Sequence, residues 1–220
     1  MAHDEQAPHQ HDHSPGHAHD HSPEHADAHD HGFDHGSDRG PVADASVRVA
    51  RVSDAPAVGL VQAVVYREAY AGTLPDEVVA QFEPRAFTGA WRDSLTTAPS
   101  RDHLLLVACA GEQVVGLAAV GPSTDPDGQD AAELLVLAVH PEARRQGHGS
   151  RLLNAAVDTA RGRDRHVLST WLLAGDDRTR AFLTAAGFET DGAHRERVVD
   201  AEGATAREVR LSAGLDPEAG

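Results

Sequence analysis

The 220-residue chain contains no lysine, and all 19 of its basic residues are arginine. Set against 35 acidic residues they leave a formal charge of −16, and neither half is built to hold a polyanion, so nucleic acid is excluded as a partner. Cysteine occurs once, as Cys109, which rules out an intramolecular disulfide and any thiolate zinc site. It lies in an apolar run and reads as a buried, inert thiol. No segment reaches the ~18 uninterrupted apolar residues of a membrane span. The N-terminus also lacks the basic start and apolar stretch of a signal peptide, so a cytoplasmic protein with no membrane partner is expected.

A further scarcity divides the chain. Residues 1–46 hold no Leu or Ile, one Val and one Phe, and they carry eleven of the sixteen histidines. Ten acids and one Arg give this stretch a charge of −9, leaving −7 for the remainder. Such a segment cannot bury enough apolar surface to offset the entropy of ordering it, and a disordered tail is expected. Residues 47–215 are rich in Val, Leu and Ala and long enough for one core.

The tail is internally repetitive. The run His11-Asp12-His13-Ser14-Pro15-Gly16-His17-Ala18 is followed at once by His19-Asp20-His21-Ser22-Pro23-Glu24-His25-Ala26, and His29-Asp30-His31 continues the theme. Imidazole is a good ligand for zinc and nickel, and His-x-His triplets offer many overlapping ligand sets. His11, His13, His17, His19, His21, His25, His29 and His31 are therefore candidate ligands for divalent metal ions, held in no single fixed site.

Beyond the tail, the pattern alternates between strands and helices. Residues 47–52 read as a strand, and Ser53-Asp54 with Pro56 as the start of a helix running to Tyr70. A second helix is expected near 77–82, whereas 85–101 reads as part helix and part loop. Residues 103–110 and 114–120 flank a short Gly-containing connection and predict an antiparallel hairpin. The continuous apolar run 133–139 predicts a strand covered on both faces. Helix 149–161, strand 166–173, helix 177–186 stopped by Gly187, and two closing strands complete the order. The result is a mixed α/β sheet with flanking helices, which excludes a helical bundle and an all-β sandwich.

The chemistry-bearing stretch follows strand 133–139. Here His140-Pro141 leads through Arg144-Arg145-Gln146-Gly147-His148-Gly149-Ser150 directly into a helix. Such a turn offers backbone N–H groups and a positive helix end to an anion, and its glycines allow close approach. Arg144-x-x-Gly147-x-Gly149 resembles the Arg/Gln-x-x-Gly-x-Gly/Ala signature of the GNAT superfamily of acetyltransferases. The later Arg180-Ala-Phe-Leu-Thr-Ala-Ala-Gly-Phe188 is similar to that superfamily's helix ending in Gly-Phe. The resemblance implies a splayed sheet with acetyl-CoA as co-substrate lying between the strands that end at Val139 and Leu173. It implies that Arg145, Gln146, Gly147, His148, Gly149 and Ser150 hold the pyrophosphate. Leu137, Ala138 and Val139 would pair with the pantetheine arm, and acetyl would pass to an amine of a small molecule or a protein.

Two features depart from that pattern. The family's frequent general-acid Tyr is Leu183 here, and the Asn seven residues before it is Asp176. A catalytic Glu found in some relatives falls on Trp171. Glu133 and Asp176 remain as base candidates. His148 either touches phosphate or points outward. A homodimer is compatible with the sequence. The competing reading is an acetyl-CoA-binding protein of low activity whose tail binds or buffers metal.

Overall fold

The computed structural model describes residues 45–199 and 203–215. Seven strands form one sheet: β1 (Ala45–Val49), β2 (Leu104–Ala110), β3 (Gln113–Pro122), β4 (Ala131–Val139), β5 (Val167–Leu173), β6 (Glu189–Val198) and β7 (Thr205–Gly214), in the order β1-β2-β3-β4-β5-β7-β6. Every neighbouring pair is antiparallel except β4 and β5. The helices are α1 (Ala55–Tyr70), α2 (Asp76–Ala80), α3 (Pro84–Thr96), α4 (His148–Arg161) and α5 (Asp177–Ala185). The mixed sheet and the order of elements agree with expectation. Among the described residues no helix is long and apolar enough to cross a membrane.

Each face of the sheet has its own core. On one face, Leu152, Leu153 and Ala156 of α4 and Leu183 of α5 pack on Leu106, Leu134, Leu168 and Leu211. On the other, Val58 and Val61 of α1 cover Leu105, Val107 and Leu117, with Trp91 and Leu95 of α3 outside them. Helices α1 and α3 approach closely because position 59 is glycine. A Cβ there would stand 2.6 Å from the Thr88 amide nitrogen and 2.8 Å from the Pro84 carbonyl.

Three local expectations change. Residues 84–96 are helical throughout, begun by Pro84 in the first turn, with only 97–103 left as loop. Asp54 does not cap α1. Its carboxylate accepts from the Arg51 amide at 2.7 Å and pairs with Arg48 at 2.6 and 2.9 Å. That guanidinium, first of all, holds the Asp54 carboxyl below the usual range. Strand β4 is covered on both faces only over its first four residues, and Leu135 is 44% exposed.

Candidate active site

The exposure of β4 follows from where the sheet opens. Strands β4 and β5 pair only at Ala131–Val167, Ala132–Leu168 and Glu133–Ser169, and then part. Pairing with β3 slips at the same place: Val120 faces Leu134 and Ala119 faces Val136, which leaves Leu135 as an extra residue. A bulge of this kind bends and twists its strand away from its neighbour. The Thr170 hydroxyl donates to the Leu134 carbonyl at 2.8 Å, taking the place of a ladder bond as the strands separate. From Leu135 to Val139 the β5-side edge of β4 has no strand partner.

This edge runs into the basic turn. Arg145 and Gly147 both have positive φ, 64° and 80°, so the turn folds tightly before α4 begins. An arginine in that region costs of order 1 kcal/mol, which suits a backbone shaped for a purpose other than its own stability. No backbone or side-chain acceptor among the described residues takes the amides of residues 145–150, which gather at the N-terminal end of α4. A concentration of free N–H groups at a helix start is an anion site.

The side chains around the turn divide the work differently from the sequence reading. Arg144 does not face the free amides. Its Nε donates to the Val139 carbonyl at 3.1 Å and its NH2 pairs with Glu68 at 2.6 Å, tying the end of β4 to α1. His148 does not point outward: it is 2% exposed, and neither ring nitrogen has a hydrogen-bond partner among the described residues. Burial, with Arg151 adding to it, holds its pKa below the ordinary value. A Cβ on Gly149 would sit 3.5 Å from the Phe182 ring and 3.8 Å from Val139, so this glycine keeps a groove open between β4 and α5. Leu183 is 1% exposed and belongs to the core beneath α5.

Of the two candidate bases, Asp176 has a structural task. It is the N-cap of α5, its Oδ1 accepting from the Thr179 amide at 3.0 Å. Glu133 has none. It is 8% exposed, at the last position paired to β5 before the strands part, and its carboxylate has no hydrogen bond or ion pair among the described residues. Burial first, and then the charge of Asp125, push its pKa up.

Glu133 shares its sheet face with Ser169, Trp171 and Leu173, by register and alternation. Leu173 also lines a cavity of about 280 Å³, together with Tyr66, Tyr70, Leu74, Val78 and Phe82, and with Arg197, Val198, Val199, Ala206 and Glu208. Tyr66 meets Tyr70 and Phe82 edge-on, with ring centroids 5.1 and 5.7 Å apart. Sequence reasoning missed the ionic network beside it. Glu208, 4% exposed, accepts from Arg195 at 2.6 Å and from Arg197 at 3.3 Å. Arg195 lies 4.2 Å over the Trp171 ring, and Arg210 binds Asp125, Asp127 and Asp191 at 3.0, 2.6 and 2.6 Å. The signal was present as Arg195-x-Arg197 and Glu208-x-Arg210, whose alternation puts each pair on one strand face. The tail histidines lie outside the described residues, and no group of three potential ligands capable of holding a metal occurs among those described.

The acetyltransferase (GNAT) family model matches residues 65–188, more than half of the chain. The chain belongs to the GNAT acetyltransferase family. Solved structures share its fold. The PaiA N-acetyltransferase of Thermoplasma acidophilum, in complex with coenzyme A, superposes with a TM-score of 0.62 at 17% identity, covering 78% of this chain and 99% of its own. The ribosomal-protein-alanine N-acetyltransferase of Brucella melitensis does so at 0.54 and 26%, covering 77% and 99%. YncA of Salmonella typhimurium, with acetyl-CoA, gives 0.54 at 18%, covering 80% and 96%. No curated protein matches in sequence. The GNAT matched region spans the opened strands, the basic turn and α5.

Proposed function

We propose that this GNAT enzyme transfers acetyl from acetyl-CoA to a primary amine. One observation carries the reading: an unpaired edge of β4, from Leu135 to Val139, leads straight into six successive amides that have no acceptor among the described residues. An extended chain ending in pyrophosphate matches both parts, and the relatives from Thermoplasma and Salmonella were solved with coenzyme A and acetyl-CoA. The amides of Arg145, Gln146, Gly147, His148, Gly149 and Ser150 would hold the phosphates. The edge at Leu137, Ala138 and Val139 would orient the arm, with the Val139 carbonyl kept by Arg144.

The acceptor must reach the thioester as a free amine. Glu133, raised in pKa and unpaired, takes the ammonium proton directly or through water, and is favoured over Asp176, which is committed to capping α5. The amine nitrogen then bonds to the acetyl carbon and gives up its second proton to water, the carbon–sulfur bond breaks, and the thiolate takes that proton through water, since Leu183 is buried and has none to give. Backbone N–H groups at the opened strand suit the oxygen on which charge develops. Isothermal titration tests the donor site. Acetyl-CoA should bind the wild type and bind Gly149→Val at least 10-fold more weakly, because branched carbons would fill the groove between Val139 and Phe182. Equal affinity in a folded variant refutes the assignment.

A second activity rests on the sequence of residues 1–46, taken as a unit separate from the acetyltransferase domain 47–215. Its repeated His-x-His triplets favour zinc or nickel binding of moderate affinity that fades below about pH 6 as imidazoles protonate. Metal titration of the full chain beside a chain beginning at Ala45 decides it, and equal stoichiometry in the two rules the tail out.

A further inference from the structure

The cavity between α1, α2 and the strands β6 and β7 carries a reading of the acceptor, and it rests on the function proposed above. Strands β4 and β5 are parallel, so Val139 and Leu173 lie at the same end of the sheet, where the gap between them has opened. Leu173 forms part of the cavity wall. Arg195, Arg197 and Glu208 are close enough to act electrostatically on Glu133. An amine seated in the cavity therefore approaches the reacting position from the same sheet face as the proposed base.

The walls are apolar and aromatic: Tyr66, Tyr70, Leu74, Val78, Phe82 and Leu173. At about 280 Å³ the space is at the low end for ligand sites and suits a molecule of amino-acid size. Two charged residues line it. Each oxygen of Glu208 has a partner, Oε2 accepting from Arg195 at 2.6 Å and Oε1 from Arg197 at 3.3 Å. Arg197 is not saturated. One NH1 contact to Glu208 is its only hydrogen bond among the described residues, and its side chain is 63% exposed. The lining charges are one of each sign, and Arg195, which also holds Glu208, adds a second cation beside it. A fork of free N–H donors at an apolar cavity suits a carboxylate, which arginine binds in bidentate fashion.

We infer that the acceptor is a free amino acid with an apolar side chain, its carboxylate held by Arg197 and its side chain lying against the Tyr66–Tyr70–Phe82 wall. The matched amide or decarboxylated amine keeps the apolar body and the nucleophile but loses the group that Arg197 recognises.

The test is release of CoA thiol from acetyl-CoA with two matched sets, L-phenylalanine, phenylalaninamide and phenethylamine, and L-leucine, leucinamide and 3-methylbutylamine, with L-serine as the polar control. The free apolar acids should exceed their amides and amines by about 10- to 100-fold in kcat/KM, the range of a hydrogen bond to a charged group. Arg197→Ala, which leaves Arg195 paired with the buried Glu208, should erase that preference by raising KM for the acids and not for the amides. An amide or amine used as well as its acid overturns the inference, as would serine matching leucine or an Arg197→Ala loss shared equally by acid and amide. Titration with acetyl-CoA alone separates the two levels. Donor binding with no acid accepted removes only this inference, whereas no donor binding removes the proposed function and this inference with it.

Discussion

The two wings of the sheet on either side of the β4–β5 opening are held together by different forces. The wing β1 to β4 is aliphatic: β3 is buried at eight of its ten positions, and Val107, Ala108, Leu117 and Ala118 are fully enclosed. The wing β5-β7-β6 ends in a strand exposed at eight of ten positions, and Arg195, Arg197 and Arg210 are set among Glu208, Asp125, Asp127 and Asp191. Apolar burial is nondirectional and is not weakened by charge screening, whereas ion pairs are directional and cost desolvation. The first wing serves as a scaffold that fixes the free edge of β4. The second shapes the cavity proposed to take the acceptor, with Arg197 and Glu208 in its lining.

The sharpest way to break this contrast is to damage the scaffold. Leu117→Ala, at a wholly buried position of β3, should cost about 2–5 kcal/mol in denaturant unfolding through lost burial and a residual cavity. A loss below about 1 kcal/mol would mean that the aliphatic wing is not the source of stability.

At the junction of the wings, Glu133→Gln should lower turnover by about 100-fold while leaving acetyl-CoA affinity unchanged. A base works ionised, and the pKa of Glu133 is raised, so the wild-type rate should climb with pH through a value above the ordinary carboxylate range. The variant should lose that acid limb. It should also be more stable at neutral pH, because ionising a buried, unpaired carboxyl opposes folding above its unfolded pKa. An unchanged pH–rate profile would assign proton removal elsewhere.

Damage to the charged wing should be smaller and local. Arg210→Ala leaves Asp125 and Asp191 without their cation, at a cost of about 1–3 kcal/mol, with exposed Asp127 adding little. Because Asp125 also accepts from the Trp171 indole at 3.1 Å, the loop 123–130 should loosen and acceptor KM should rise while donor affinity holds. Equal losses in donor and acceptor binding would show that the wings are not separable in function.

How much of this was legible in the sequence follows the same division. The scaffold was readable because its signals are local: the apolar runs at 103–110 and 114–120, the 3.6-residue spacing of Leu152, Leu153, Ala156 and Val157, and the Gly-rich turn. Helix α3 was half-hidden because Phe87, Trp91 and Leu95 keep helical spacing among polar neighbours and none of them is fully buried. The parting of β4 from β5 was not readable from the apolar run itself, since pairing is non-local and a bulge at Leu135 leaves no compositional mark. The cavity was legible only as two segments; nothing in either one says that Tyr66 and Arg197 meet.

The smallest expected effect concerns His148, where the scaffold departs from its own rule. An imidazole with two unpartnered nitrogens lies at the start of α4, beneath the turn that offers free amides. Leaving buried polar atoms unsatisfied costs of order 1–3 kcal/mol, so His148→Leu should stabilise the protein by about 1 kcal/mol once shape differences are counted. For a domain of this size that is a rise of about 2–4 °C in Tm. The pH dependence has a definite sign. The folded pKa lies below the ordinary value of 6.5, so the unfolded chain binds a proton that the folded chain refuses. Stability from the neutral ring is complete above that value and falls as the medium is acidified through it. The gain from His148→Leu should therefore widen from pH 7.5 to pH 5.5. Acetyl-CoA affinity should hold within about 2-fold, because the proposed donor site uses the backbone amides and not the buried ring. A variant that is less stable, or that loses the donor, would show that the imidazole serves the turn.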